Sequence, residues 1–483
     1  MTTLEIRPEA PAEYEQANEQ AAADKFRWST LLVVLTGTFM TTLDFFIVNV
    51  AIPATQKSLN AGPGAIQWIV AGFGLATAAG VITAGRLGDL YGRRKMYALG
   101  LGLFTAASAA CGLAPTAGFL IAARVAQGAA GALMGPQVLA IIGTAYEGAA
   151  RMKAFIAYGL TMGLAAVFGQ LIGGVLIQAD IAGLGWRSCF LINIPIGATA
   201  LALVPRTVKE SRAAKGSRLD IVGMILISAA LVATVLPLIQ GQSQGWPLWT
   251  WLSFGAALVL FGAFGYYQGH LADGGKSPLV DPALFKNRSF TVGVVAQTVF
   301  WMGQGSFFLV FALYVQQGRG LSALAAGLIF TPIGLGYLAT SLRGAQLTSR
   351  FGRQTAPVGL VLMALSLLVL LVEVAEIGTT GSTLWLIPAL VADGAGMGMA
   401  IGPLAAAAMG RVAPEHAGAA SGVVSTVMQV GGAIGVAVIG ILFYSALGTG
   451  HGAAAYPHAF TVSLEFLVGV AVLAAGLLQM NKE

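Results

Sequence analysis

The chain has 483 residues, of which 57% are hydrophobic and only 10% charged. Soluble domains carry about 25% charged residues, so a soluble enzyme, a disordered chain and a collagen-like fibre are all excluded. The net charge of +6 does not mark a nucleic-acid binder, because the basic residues recur in short clusters between apolar stretches, as membrane-protein loops do.

Residues 1–27 contain Glu5, Glu9, Glu13, Glu15, Glu19 and Asp24 and no apolar run, which rules out a signal peptide and predicts a disordered cytoplasmic tail. A membrane-spanning helix needs about 20 mostly apolar residues. Apolar runs between charge and turn clusters predict fourteen of them: 28–52, 66–84, 96–114, 118–143, 154–178, 188–204, 221–241, 249–269, 290–314, 322–341, 356–375, 383–409, 418–446 and 460–479. Barrel strands would instead show segments of about ten residues with alternating polarity. Twenty-two of the 26 Lys and Arg residues fall in loops on the side of the amino terminus. Only Lys57, Arg187 and Arg319 fall opposite, and Arg124 falls inside a helix. This asymmetry predicts cytoplasmic termini and an even number of helices. Cys111 and Cys189 lie in or beside apolar runs without metal-ligand spacing and read as packing residues.

The chain also repeats itself. Gly85-Arg-Leu-Gly-Asp-Leu-Tyr-Gly-Arg-Arg94, after the second predicted helix, matches Ala345-Gln-Leu-Thr-Ser-Arg-Phe-Gly-Arg-Gln354, after the tenth, at a shift of 260 positions. Gly135-Pro136 and Gly402-Pro403 form a second echo in the fourth and twelfth helices. The expected fold is therefore an all-α polytopic membrane protein of two six-helix bundles plus two inserted helices. The N-terminal bundle covers 28–204, a linker with the two additional helices 205–289, the C-terminal bundle 290–479, and a short cytoplasmic tail 480–483. Parallel repeats of this kind suit an alternating-access transporter with its substrate site between the halves.

An ionised side chain at mid-membrane costs about 2.5–3.5 kcal/mol, so each one needs a reason. Asp44 lies well inside the first helix, on a face of Gly37, Thr41, Val48 and Ala51 suited to a cavity wall or to close packing. It is the first candidate for binding a proton or a cationic substrate. Arg124, followed by Gln127, Gly128, Gly131 and Gly135 on one helical face, is its natural partner. Asp393 is a second proton or cation candidate. Glu465 ranks lower because it can snorkel to the interface, and Glu373 and Glu376 read as solvated. Gly85, Gly88 and Gly92 allow close backbone approach, while Asp89, Arg93 and Arg94 supply charges for a cytoplasmic clasp that makes and breaks between states. Phosphate-loop, His-Glu-x-x-His and Gly-x-Ser-x-Gly patterns are absent, and no loop is long enough for a catalytic domain, so no enzyme is expected.

The Gly85–Lys95 segment resembles the loop 2–3 signature of the major facilitator superfamily. Leu43-Asp44-Phe-Phe-Ile-Val-Asn49-Val-Ala-Ile-Pro53 is similar to the first-helix motif of its fourteen-helix drug:proton antiporter branch, and Arg124-Val-Ala-Gln127-Gly128 to the fourth-helix motif. Trp186-Arg187 through Asn193-Ile-Pro195-Ile-Gly197, Pro282 to Arg288 and Gly418 to Gly422 also resemble that branch. One position departs: Gly169-Gln170-Leu-Ile-Gly173-Gly174 has Gln170 where the antiporter signature has proline, which weakens the indication of export and leaves Gln170 free to line the pathway.

The resemblance implies a proton-coupled antiporter exporting hydrophobic or cationic drugs from a bacterial plasma membrane. It would act as a monomer with small molecules, protons and lipid as its partners, with no nucleic acid and no cofactor beyond the proton gradient. Of the residues read above, Asp44, Arg124 and Asp393 are the proton-coupling candidates, and the resemblance implicates the arginine among them. The cavity candidates are Phe45, Asn49, Gln127, Gln170, Trp301, Gln304 and Glu465, Gln304 being the 260-shift counterpart of Asp44. A proton-coupled importer or metabolite carrier on the same fold is the alternative. A passive channel or a membrane enzyme ranks below it.

Overall fold

The computed structural model describes residues 10–146, 148–212, 220–241, 244–274, 278–280, 282–409, 417–448 and 452–480. Every regular element among them is helical. The long helices are α1 (Ala10–Leu59), α2 (Pro63–Tyr91), α3 (Arg93–Gly112), α4 (Ala117–Ala145), α5 (Gly148–Ala179), α6 (Asn193–Thr207) and α7 (Ile221–Gln240). They continue with α8 (Leu248–Asp273), α9 (Arg288–Leu313), α10 (Ala323–Ser341), α11 (Thr355–Ile377), α12 (Ile387–Met409), α13 (Ala417–Leu447) and α14 (Ala455–Gln479). Thirteen spans among the described residues are long and apolar enough to cross a membrane. The fourteenth helix, α3, falls short because it opens on Arg93, Arg94 and Lys95.

One boundary differs from the sequence reading. Helix α1 begins at Ala10, inside the stretch expected as a disordered tail; residues 1–9 lie outside the described residues. The Ala-, Glu- and Gln-rich run from Ala10 to Asp24 has high helix propensity, and the apolar run that follows extends the same helix. The sixth predicted helix, 188–204, starts with a turn, Ser188–Leu191, and runs through Ile192, itself in helical conformation, into α6 as one span. Pro195 has no N–H to give the carbonyl of Leu191 four residues earlier, so one ladder hydrogen bond is missing there.

Helices α1–α6 pack into one bundle and α9–α14 into the other. The bundles meet where α5 lies on α10 and α2 on α13. Glycines make these approaches short. Gly327 of α10 lies against the backbone of Gln170 and Leu171, and Gly174 of α5 against Ala323 and Leu324. Inserted helix α7 covers the seam between α2 and α13, while α8 packs mainly on α7 and exposes Leu252, Leu258, Val259 and Tyr266 to lipid. At the end away from the termini, Gln317 donates to Gln56 Oε1 at 3.0 Å and Tyr456 donates to Gln317 Oε1 at 2.7 Å. Phe46 and Phe308 meet edge-on across the seam at 4.8 Å.

Two of the three basic residues that break the charge asymmetry have structural work at that same end. The Arg187 guanidinium donates to the carbonyls of Gly112 (3.1 Å) and Ala114 (2.7 Å) where α3 ends. That of Arg319 donates to Gly378 (2.7 Å) and Gly381 just past α11. Each cation meets helix-terminal carbonyls that would otherwise be unpaired, at the negative end of the helix dipole. Arg187→Ala is expected to lower stability by about 2 kcal/mol, the scale of charge-assisted hydrogen bonds. The check is thermal unfolding of the detergent-solubilised protein.

Candidate proton-coupling site

Asp44 and Arg124, eighty residues apart in sequence, form an ion pair in the core of the first bundle. Both are completely buried. Two features bring them together. The Gly37–Thr41–Asp44 face of α1 is a packing surface: the Gly37 N–H donates to Tyr97 Oη at 3.1 Å, and Thr41 Cγ2 lies where a Gly131 Cβ would come within 3.4 Å. On α4, Gly128 sits against the backbone carbonyl of Phe73, which draws α4 onto α2.

Around the pair is a closed polar network. Gln127 Nε2 donates to Asp44 Oδ1 at 2.8 Å and lies 2.7 Å from Ser108 Oγ. Asn193 Nδ2 donates to Asp44 Oδ1 at 2.9 Å. Arg124 Nη1 reaches both Asp44 Oδ2 and Gln127 Oε1, the latter at 2.7 Å, and Arg124 Nε donates to the carbonyl of Ile69 at 3.0 Å. The guanidinium carbon lies 4.4 Å from the centre of the Phe73 ring. The groups facing the carboxyl oxygens are therefore donors, a set that matches an acceptor-only carboxylate. A proton on Asp44 would displace one of these bonds and leave Arg124 without its counter-charge.

Asn193 and Ser108 are functional candidates that the sequence reading passed over. Asn193 reaches Asp44 from the start of α6, and its signal in sequence was its place in the Asn193-Ile-Pro195-Ile-Gly197 stretch, to which no role was given. Cys111, read as packing, does lie in the core, with Sγ 3.6 Å from Gln127 Oε1.

The other candidates do not join this network. Asp393 and Gln304 line a small cavity in the second bundle. Phe45 lies at the seam, close to Gly74 and Gly432. Asn49 is buried, with Nδ2 on the Phe46 carbonyl and Oδ1 unpartnered. Gln170 is buried on α5 with both amide atoms unpartnered among the described residues. Trp301 donates to Gln297 Oε1 at 3.0 Å. Glu465 corrects the expectation of a cavity residue: it is exposed on a stripe with Gly469, Val472 and Gly476. Leu464, Leu467 and Ala471 point inward, and at 100° per residue Glu465 cannot share their face.

The cytoplasmic motif also differs from expectation. It is no open loop, because α2 runs to Tyr91 and α3 starts at Arg93 with Gly92 alone between them at φ +108°. Asp89 pairs with Arg93 one turn along, at 3.0 Å, within its own bundle. Glu210, unremarked in the sequence, accepts from the Arg94 N–H at 3.0 Å and fills the space a Gly92 side chain would need. The second copy of the motif keeps the same device, with Gly352 at φ +54° ending a short helix, Gly344–Phe351.

Two six-helix membrane bundles joined face to face, with a charged pair sealed inside one of them, define a membrane transporter built from parallel repeats. The chain belongs to the Major Facilitator Superfamily, whose family model matches residues 34–436 and 293–480. It is 39% identical over 426 residues to a probable actinorhodin transporter of Streptomyces coelicolor, covering 88% of this chain and 73% of that one. It is 34% identical over 471 residues to the puromycin resistance protein pur8 of Streptomyces alboniger, covering 94% and 91%. Among solved structures, a POT family transporter in complex with a thioalcohol-conjugated peptide superimposes with a TM-score of 0.67. Its sequence is 17% identical, with 93% of this chain and 95% of that one covered, a likeness of fold. The chain is a transporter and not an enzyme.

Proposed function

We propose that the protein is a proton-coupled antiporter that exports hydrophobic or cationic antibiotic-like molecules across the bacterial plasma membrane, with both termini in the cytoplasm. The observation that carries this reading is the sealed Asp44–Arg124–Gln127–Asn193 network, a charged acid that a proton would release from its partners. Relatives named for antibiotic transport and resistance support export over import. The bias of basic residues toward the side of the termini supports the orientation.

In this reading a proton entering from outside neutralises Asp44, Arg124 loses its counter-charge, and the relative stability of the two bundle arrangements changes. Gln56, Gln317 and Tyr456 hold the outer end closed in the conformation described here, and the bundles part there when cargo leaves. One proton moving through 100 mV supplies about 2.3 kcal/mol, enough to hold roughly a fifty-fold gradient of a neutral cargo.

The test is transport of a compound panel of aromatic polyketides, an aminonucleoside and lipophilic cations into inside-out vesicles. At least one compound is expected to accumulate only while an imposed pH gradient lasts. Flux indifferent to that gradient for every compound transported would sink the proton-coupled reading.

A further inference from the structure

The second bundle holds its own buried acid, in surroundings opposite to those of Asp44. Asp393 of α12 is 4% exposed and lies on a cavity of about 20 Å³ enclosed by α9, α11, α12 and α14. That volume is room for about one water molecule. Its walls are apolar, including Phe300, Phe307, Met363 and Leu467, with two polar side chains, Asp393 and Gln304.

Among the described residues neither polar group has a close partner, the nearest contact being a long one to Ser366. Gln304 is 5% exposed and makes no side-chain hydrogen bond among the described residues. The one group beside Asp393 is Ser366 Oγ, 3.5 Å from Oδ1. That hydroxyl has a single proton, and it lies at 2.7 Å from the carbonyl of Met363, so it is not donated to Asp393.

Among the described residues no cation lines the cavity either. On the elements packed around it, the charged and titratable groups are Arg288 of α9, Tyr337 of α10, Glu373 and Glu376 of α11, Tyr444 of α13, and Tyr456, His458 and Glu465 of α14. Arg343, Arg350 and Arg353 stand at the turns between α10 and α11. None of them lines the cavity. A buried carboxylate with no cation and no donor is the costliest state for this side chain, and binding a proton removes the charge.

We propose that Asp393 and Gln304 form a second proton-binding site, separate from Asp44 and occupied in this conformation. The protonated carboxyl gains an O–H that the Gln304 amide oxygen can accept, directly or through one water, so the two unpaired groups satisfy each other. A metal cation is the poorer occupant, since two side-chain ligands around one water's volume fall well short of the six or so oxygens a hard cation takes. The inference deepens the proton-coupled reading, yet its test needs no transported compound and can fail independently.

The experiment is infrared spectroscopy of the full-length protein in lipid vesicles at neutral pH. Wild type is expected to show the C=O stretch of a buried protonated carboxyl, shifting down in D₂O. Asp393→Asn should lose that band, Asp44→Asn should keep it, and Gln304→Leu should move its frequency by removing the acceptor. Should Asp393→Asn fail to fold, Asp393→Glu and Gln304→Leu carry the test, each expected to shift the band. A band unchanged by these variants, or absent from wild type, overturns the assignment. Loss of the wild-type band when sodium chloride replaces choline chloride would also overturn it, in favour of a metal cation.

Discussion

Asp44→Asn is expected to reduce pH-gradient-driven transport to the level of empty vesicles while the protein still reaches the membrane. The amide is isosteric but cannot exchange a proton with water at any working pH, so the network would stay in one charge state. The change also carries a stability cost. Arg124 is fully buried and would keep its charge with no counter-ion, and breaking a buried pair in this way costs about 3–5 kcal/mol. The double variant Asp44→Asn/Arg124→Gln should recover much of that loss, because no charge remains in the core, while transport stays uncoupled. Thermal unfolding and vesicle transport of the three variants separate the two effects. Gradient-driven transport surviving in Asp44→Asn would take Asp44 out of the coupling step.

The second large effect is expected at Gly128, where α4 crosses α2. A Cβ built there lies 3.0 Å from the carbonyl carbon of Phe73 and 3.1 Å from Cβ of Ala76. These are parts of a neighbouring helix, and a backbone cannot swing aside as a side-chain tip can. Gly128→Leu must therefore push α2 and α4 apart, at the upper end of the 1–3 kcal/mol typical of overpacking or beyond it. The same displacement would pull Arg124, one turn earlier, and the adjacent Gln127 away from Asp44. Little folded protein should accumulate, and what does should melt well below wild type. Wild-type yield and melting would show that the helices do not approach here as described.

Net stability does not account for the Asp44–Arg124 pair. A buried ion pair roughly breaks even against an apolar pair of similar volume, because desolvating both charges consumes the Coulombic gain. What it provides is sensitivity: one proton changes the charge of a site that water does not reach. Asp393 offers the complementary arrangement, an acid without any counter-charge. Two acids in such different settings would respond to protons at different points of a transport cycle.

The cytoplasmic motif illustrates how a residue pattern and its structural use can diverge. Its glycines were legible as sites of close approach, and two are that: Gly92 turns the chain at positive φ against Glu210, and Gly88 meets the amide of Gln137 on α4. Its charges, expected to clasp across states, are in this conformation tied locally, Asp89 to Arg93 one turn along and Arg94 to Glu210 just past α6. A loop acid such as Glu210 has no pattern around it that distinguishes it from a solvated one.

By itself the sequence determined the class of molecule. Runs of about 20 apolar residues have one stable solution in a bilayer, a helix that satisfies its own backbone, so helix number and the twofold repeat followed from composition and spacing. The sequence also marked Asp44 and Arg124, because a charge in an apolar run is costly enough to stand out. Tertiary structure alone decided what surrounds them. Asn193 reaches Asp44 only because α6 packs on α1 at that height, and Ser108 joins the network only because α3 crosses there. Glu465 and Asp393 are both acids within predicted helices, yet helix phase turns one to the exterior and the other to a cavity. Hydrophobicity is a property of each segment, whereas hydrogen bonds and ion pairs depend on which segments meet, and packing sets that.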